Sequence, residues 1–87
     1  MELLPAESGP YDVVLLTQPE CHLCQAARDV VERVTASLGL GWTEQSVVHE
    51  PALRARFAEE LPVLLINGVQ RDFWAIDEAR LRMLLGG

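Results

Sequence analysis

A change of hydrophobic period, with a cysteine pair at the change, constrains the fold of this chain most strongly. Residues 13–17 read Val-Val-Leu-Leu-Thr, a short β-branched apolar run that is typical of a buried strand. From residue 22 onward apolar residues recur at helical spacing, until Gly39 and Gly41 end the pattern. The sequence therefore predicts a strand followed by a helix over about residues 22–38. Its expected buried stripe consists of Leu23, Ala26, Ala27, Val30, Val31, Val34 and Leu38.

Five further segments carry strand or helix signals. In the order strand, helix, strand, strand, helix, they cover about residues 42–48, 51–60, 63–66, 69–74 and 78–85. Asn67-Gly68 is typical of a tight hairpin turn between the last two strands. Asp77 is expected to cap the last helix, with Ile76 and Leu81 forming a hydrophobic staple across its start.

This element order predicts an α/β fold of the form β-α-β-α-β-β-α. The first two strands, joined by a helix, should be parallel with a right-handed crossover, and the last two should form an antiparallel hairpin. A four-stranded mixed sheet with helices on its faces is the simplest packing. The chain has 87 residues, which suits one domain, so we expect a lead-in over residues 1–10 and a single domain over residues 11–87.

Charge and hydropathy narrow the classes of partner. There are 13 acidic residues against 7 basic ones, all arginine, which gives a net charge of −6 and disfavours nucleic acid and anionic membranes as partners. No apolar run approaches the roughly 20 residues that span a bilayer. Residues 1–10 contain no basic residue and so lack the positive region of a signal peptide. We therefore expect a cytoplasmic monomer.

Cys21 and Cys24 form a C-x-x-C pair at the start of the predicted helix. Residues three apart on a helix share a face, so the two sulfurs can approach bonding distance. The free N–H groups and the dipole at the helix start would lower the thiolate pKa of Cys21 from about 8.5. Cys21 is therefore the predicted attacking thiol, and Cys24 resolves the mixed disulfide. A protonated His22 would favour the thiolate and Glu20 would oppose it, so the net sign stays open.

Several other interpretations remain open. A structural zinc site needs four ligands, and a haem attachment needs histidine at position 25, where Gln25 stands. A third alternative is a metal ion or cluster bound by Cys21 together with ligands from a partner. A partner-docking module with a redox switch is another alternative, as are two incidental cysteines. His49 should reach the same sheet edge as Cys21, either for proton transfer or simply to enter a helix. The large aromatic residues are expected to provide core or edge packing, with a substrate surface as the alternative for Trp74: Trp42, Phe57, Phe73 and Trp74.

With these motifs in place, the sequence resembles the glutaredoxin-like members of the thioredoxin superfamily. The matching pieces are Val13–Thr17, Pro-Glu-Cys-His-Leu-Cys over 19–24, Leu-Pro-Val-Leu over 61–64, Asn67-Gly68 and the last helix, and they span about residues 11–85. The resemblance implies a thioredoxin fold and a thiol–disulfide oxidoreductase that takes part in electron transport and cell redox homeostasis. Its substrates would be protein disulfides, glutathione mixed disulfides or small thiols, with no resident cofactor or metal.

The same resemblance implies roles for residues outside the dithiol. Pro62 would be in the cis form and face the sulfurs, and Leu61 would offer its backbone to an extended substrate, with Val63 beside it. The chain also departs from ordinary glutaredoxins: its dithiol is Cys-His-Leu-Cys, and the Gly-Gly and acidic pattern that grips glutathione is missing over residues 72–78. These departures weigh against glutathione as co-substrate and leave dithiol exchange intact.

Overall fold

Seven elements build the chain in the predicted order. The computed structural model describes residues 11–86; the expected lead-in over residues 1–10 and the last residue lie outside the described residues. The elements are β1 (Val13–Thr17), α1 (His22–Leu38), β2 (Thr43–Ser46), α2 (Pro51–Phe57), β3 (Val63–Ile66), β4 (Val69–Phe73) and α3 (Glu78–Leu84). The α/β fold class is confirmed, while the domain limits stay a prediction.

The four strands form one mixed sheet in the order β2-β1-β3-β4. β1 runs parallel to β2, and β3 runs antiparallel to both β1 and β4. The ends of β1, β2 and β4 therefore lie beside the beginning of β3, along the border of the sheet that runs across the strand ends. We call this the dithiol edge; it is marked by Thr17, Ser46, Phe73 and Val63.

Two hydrophobic cores cover the two faces of the sheet. Successive strand residues point to opposite faces, so the apolar runs of β1 and β3 supply both cores at once. One face packs against α1 and α3 through Val13, Leu15, Ala27, Val31, Val34, Leu64, Ile66, Ile76, Leu81 and Leu85. The other packs against α2 through Leu16, Val47, Phe57, Leu61 and Val63. The predicted layered packing, with helices on both faces, is confirmed.

The buried face of α1 differs from the predicted stripe at its first turns. Leu23 is 44% exposed and Ala26 is also exposed, so their expected burial was wrong. The stripe instead begins at Cys24 and continues through Ala27 and Val31. Cys24 lies in the same turn as Leu23 but is 1% exposed, so at this end the core-facing side of α1 is displaced by one residue from the predicted stripe.

Two strands are shorter than predicted. β2 covers four residues, all exposed, rather than residues 42–48, and it forms one edge of the sheet. β4 ends at Phe73 because Trp74 adopts a left-handed backbone with φ of 61°. Phe73 and Trp74 are 39% and 52% exposed, so they are not core residues. Phe73 lies on the outer strand β4 and its ring packs edge-on against Trp74, which agrees with the expected edge packing.

The predicted turn and cap chemistry is confirmed. Asn67 and Gly68 both have positive φ, 54° and 81°, as a type I′ hairpin turn requires. The Asp77 side chain accepts a hydrogen bond from the Arg80 N–H and caps α3. Ile76 and Leu81 lie in the same core, as the staple predicts.

Glu44 joins α1 to the sheet. Its carboxylate accepts hydrogen bonds from Arg28 Nε on α1 at 2.8 Å and from the Thr17 hydroxyl on β1 at 2.7 Å. The Arg28 guanidinium, followed by the Thr17 hydroxyl, holds the pKa of Glu44 below its ordinary value of 4.5, against an opposing contribution from burial. Since Thr17 is only 2% exposed, Glu44 also satisfies a hydroxyl that water cannot easily reach.

We predict that Glu44→Ala destabilises the fold more than Glu44→Gln. Glutamine keeps an acceptor for Thr17 and loses only a half-exposed ion pair, so its cost at pH 7 should stay below about 1 kcal/mol. Alanine leaves the buried hydroxyl without this partner, which should cost about 1–2 kcal/mol. The measurement is the free energy of unfolding in urea, with Thr17→Val/Glu44→Ala as the variant that removes both groups.

The pH dependence follows from the lowered pKa of Glu44. The stabilisation by its charge is present above the ordinary value of 4.5 and is lost as pH falls through the lower folded value. The stability difference between the natural chain and Glu44→Gln should therefore vanish at acid pH. Equal losses for the alanine and glutamine variants at pH 7 would contradict this account.

Candidate active site

The two cysteines lie at the start of α1, just after β1 ends. Cys21 is the N-cap residue of α1, with extended backbone angles, and Cys24 lies in its first turn. The pair is joined by a disulfide, with the Cα atoms 5.3 Å apart. The Cys24 N–H donates to the Cys21 carbonyl at 3.3 Å, which fixes the tight turn between them. The predicted placement of the C-x-x-C pair is thus found in the structure.

The two sulfur-bearing residues differ in exposure. Cys21 is partly exposed, whereas Cys24 is only 1% exposed and continues the core-facing stripe of α1. A substrate sulfur can therefore approach Cys21 from solvent but cannot reach Cys24 without moving the helix. The two cysteines therefore differ in their accessibility to a substrate.

The start of α1 is free of competing negative charge within the helix. No acidic residue lies in its first turn, and no side chain caps the first N–H groups. These donors and the helix dipole are therefore available to a thiolate on Cys21 when the disulfide is open. Glu20, immediately before Cys21, is exposed and has a left-handed φ of 59°, which turns the chain from β1 toward the helix.

A shallow cavity of about 460 Å³ opens beside Cys21. Its lining combines the β1–α1 turn with the first two turns of α1: Gln18, Pro19, Glu20, Cys21, His22, Gln25 and Arg28. His22 is exposed at its rim. Arg28 contributes a guanidinium whose pKa is raised further by its hydrogen bond to Glu44. The cavity therefore brings His22 and Arg28 to the surface beside Cys21.

Pro62 stands across the sheet from the end of β1. Val63 pairs with Leu16, so one step further toward the dithiol edge Pro62 lies opposite Thr17. The Leu61-Pro62 peptide bond is cis, as the resemblance implied, and the proline ring is fully buried. Among residues 11–86, no hydrogen bond joins the Leu61 N–H or carbonyl to another group. Leu61 itself is only 8% exposed and packs in the core beside α2, so its role in substrate binding stays a prediction.

The remaining predicted site residues have different surroundings. Val63 is fully buried and lies between Leu16 and Phe73 in the sheet, so its place in the substrate-binding set is a prediction that its burial does not favour. His49 is exposed just beyond β2 on the dithiol edge, and its proton-transfer role stays a prediction.

Sequence reasoning missed the part that Thr17, Glu44 and Arg28 play beside the dithiol. Arg28 lies outside the apolar stripe of the predicted helix, and Thr17 and Glu44 lie in predicted strands without a motif that marks them. The link depends on the register that pairs Leu15 with Glu44 in parallel strands, which sequence patterns do not supply.

The described residues provide neither a metal-binding cluster nor a membrane-spanning helix. Within residues 11–86, no group of three or more histidine, cysteine or carboxylate side chains is arranged to hold a metal ion. No helix in that range has the length and apolar character needed to cross a membrane.

Solved structures share this architecture. The X-ray structure of Northeast Structural Genomics target protein XcR50 from X. campestris superposes with a TM-score of 0.71 at 24% identity, over 85% of this chain and 95% of that one. Its solution structure gives a TM-score of 0.70 at 26% identity, over 86% and 92% of the two chains. Fasciola hepatica thioredoxin superposes with a TM-score of 0.66 at 17% identity, over 93% and 83%. The thioredoxin fold is thereby confirmed.

Sequence relatives agree with the fold. Uncharacterized protein Rv0508 of Mycobacterium tuberculosis is 33% identical over 75 residues, which cover 80% of this chain and 77% of that protein. Uncharacterized protein Mb0520 of Mycobacterium bovis matches to the same extent. The family model described as "Glutaredoxin-like domain (DUF836)" matches residues 12–86, nearly the whole described chain. With its C-x-x-C pair at the head of α1 and its thioredoxin fold, this chain belongs to the glutaredoxin-like DUF836 family.

Proposed function

We propose that this chain is a thiol–disulfide oxidoreductase that reduces protein disulfides or mixed disulfides through Cys21 and Cys24. The observation that carries the proposal is the unequal access to a bonded cysteine pair at a helix start. Cys21 is open to solvent, while Cys24 is buried within bonding reach of it. An attacking thiol needs exposure, whereas a resolving thiol needs only proximity.

The reaction balances over two exchanges. The Cys21 thiolate attacks one sulfur of the substrate disulfide, forms a mixed disulfide and displaces the other sulfur as a thiolate that takes up a proton. The Cys24 thiol loses its proton and attacks Cys21 Sγ, which releases the second substrate thiol. The protein is left with the Cys21–Cys24 disulfide, and two electrons have passed to the substrate. A thiol reductant, either glutathione or a dithiol protein, must then reopen the disulfide.

The surroundings of the dithiol support an extended protein substrate. The unpaired backbone at Leu61 offers one N–H and one carbonyl for strand-like pairing beside Pro62. We propose a monomer acting in the cytoplasm, with neither nucleic acid nor membrane as partner, in line with its acidic charge. Glutathione is a secondary candidate, either as reductant or as part of a mixed disulfide.

We predict that Cys21→Ser abolishes disulfide reduction, whereas Cys24→Ser traps a mixed disulfide with the substrate. Serine at position 21 removes the exposed nucleophile, and serine at position 24 removes the group that releases the product. The measurement is reduction of insulin by the pre-reduced protein, with mass spectrometry of the trapped adduct. Because the chain has only two cysteines, the double serine variant is the matched blank.

Single variants that both reduce insulin at the natural rate would contradict the proposal. A protein that keeps its disulfide closed in excess glutathione would instead favour the alternative of a partner-docking module with a structural or switching disulfide. A metal bound stoichiometrically by the reduced protein, and lost in Cys21→Ser, would favour metal handling.

We predict opposite effects of His22→Gln and Glu20→Gln on the reactivity of Cys21. Removing an imidazole that can carry positive charge should raise the thiolate pKa, and removing the neighbouring carboxylate should lower it. The measurement is the pH dependence of the alkylation rate in a Cys24→Ser background, where Cys21 is the only thiol. The midpoint should move to higher pH for His22→Gln and to lower pH for Glu20→Gln. Shifts of the same sign for the two variants would refute the assignment.

A further inference from the structure

Trp74 has a backbone conformation that its side chain does not favour. Its φ of 61° lies in the left-handed region, where the Cβ of an ordinary residue crowds the next carbonyl. Glycine or asparagine adopts this region with less strain. Burial does not explain the choice, since Trp74 is 52% exposed. A bulky residue held in an unfavourable conformation, and left half in solvent, is typical of a functional position.

The protein holds Trp74 firmly despite this exposure. Its backbone N–H donates to the Pro62 carbonyl at 2.9 Å, and its indole N–H donates to the Glu59 carbonyl at 2.8 Å. Its ring meets the Phe73 ring edge-on, with the centroids 5.0 Å apart. The following loop is braced by Asp72, whose carboxylate accepts from the N–H groups of Phe73 and Asp77. The indole is therefore preorganised, which reduces the entropy lost when it contacts a ligand.

The strand register aligns Trp74 with the end of β1, the strand that leads into the dithiol. Val63 pairs with both Leu16 and Phe73, so one step further along Thr17, Pro62 and Trp74 form a row across three adjacent strands. Adjacent strands are about 4.8 Å apart, which puts the Trp74 backbone about 10 Å from the end of β1. An extended peptide advances about 3.4 Å per residue, so Trp74 should meet a side chain two or three residues from the substrate cysteine.

The exposed aromatic surface at the end of β4 favours an apolar side chain as its ligand. Phe73 is 39% and Trp74 is 52% exposed, and the N–H groups of Phe73, Trp74 and Asp77 are used within the protein. Leu23, which stands between the two cysteines in the sequence, adds a second apolar side chain that is 44% exposed.

We infer that Trp74 is a specificity-determining residue that docks a large apolar side chain of an extended peptide, two or three residues from the substrate cysteine. This inference rests on the proposed oxidoreductase function and names its substrate class: protein disulfides with an apolar or aromatic residue near the reacting cysteine. Leu61 supplies the backbone pairing for the same peptide, and Trp74 supplies the preference for its side chain.

The test compares mixed disulfides of two peptides that differ only in leucine or serine three residues from the cysteine. The natural chain should reduce the leucine peptide with a kcat/KM about tenfold higher, the scale set by burying a few apolar carbons. Trp74→Gly and Trp74→Asn should abolish this preference by slowing the leucine peptide only. Both residues accept the left-handed backbone, so the fold is preserved. Met83→Ala removes an apolar side chain on α3 that is 73% exposed, and it should keep the preference.

Tryptophan fluorescence provides a second measurement, which detects peptide docking without turnover. In a Trp42→Phe/Cys24→Ser protein, Trp74 is the only tryptophan, so its fluorescence reports on this surface. Trapping the leucine peptide on Cys21 should shift the emission to shorter wavelength and protect it from iodide quenching, and the serine peptide should do neither. Equal kcat/KM for both peptides in the natural chain, or a trapped leucine peptide that leaves quenching unchanged, would overturn the inference. Reduction of both peptides at equal rates leaves the oxidoreductase proposal standing, whereas reduction of neither refutes the proposal itself.

Discussion

The antiparallel pairing of β1 with β3 is the constraint on which the site depends. These two central strands are apolar on both faces, and they pair from Val13 with Ile66 to Leu16 with Val63. Each side chain enters one of the two cores, so a slip of one residue would exchange every core residue with one from the opposite face. The end of β1 and the residue before β3 are thereby fixed side by side. The chain enters the dithiol and α1 from the first of these points, and Leu61 and Pro62 precede β3 at the second.

The site at this edge combines a buried cysteine with a solvent-accessible one. Cys24 belongs to the core-facing stripe of α1 and shares its immobility, while Cys21, at the N-cap, remains open to solvent. Glu44 ties Arg28 to Thr17 and so fastens the first turns of the helix to the sheet. Reactive groups positioned by packed secondary structure are held more precisely than groups on loops. The molecule thus exposes one sulfur without loosening the elements that carry it.

Two exposed apolar side chains contribute to the surface at the dithiol edge. Leu23 and Trp74 are 44% and 52% exposed, the first between the two cysteines in the sequence and the second one residue beyond β4. The N–H groups of Phe73 and Trp74 are used inside the protein. These features support the proposal that an apolar side chain of an extended peptide docks here.

Local chemistry in the sequence was enough to determine the elements and the cysteine geometry. The limits of α1, the Asn67-Gly68 turn, the Asp77 cap and the placement of Cys21 at a helix start follow from propensities that act over four residues or fewer. The tertiary structure alone decided which residues meet across strands: Glu44 with Thr17 and Arg28, and Trp74 with Pro62. It also decided that Leu23 and Trp74 stay exposed, because burial depends on what lies opposite a residue. Register and burial depend on the packing of segments that are distant in the sequence, so the order of neighbouring residues does not predict them.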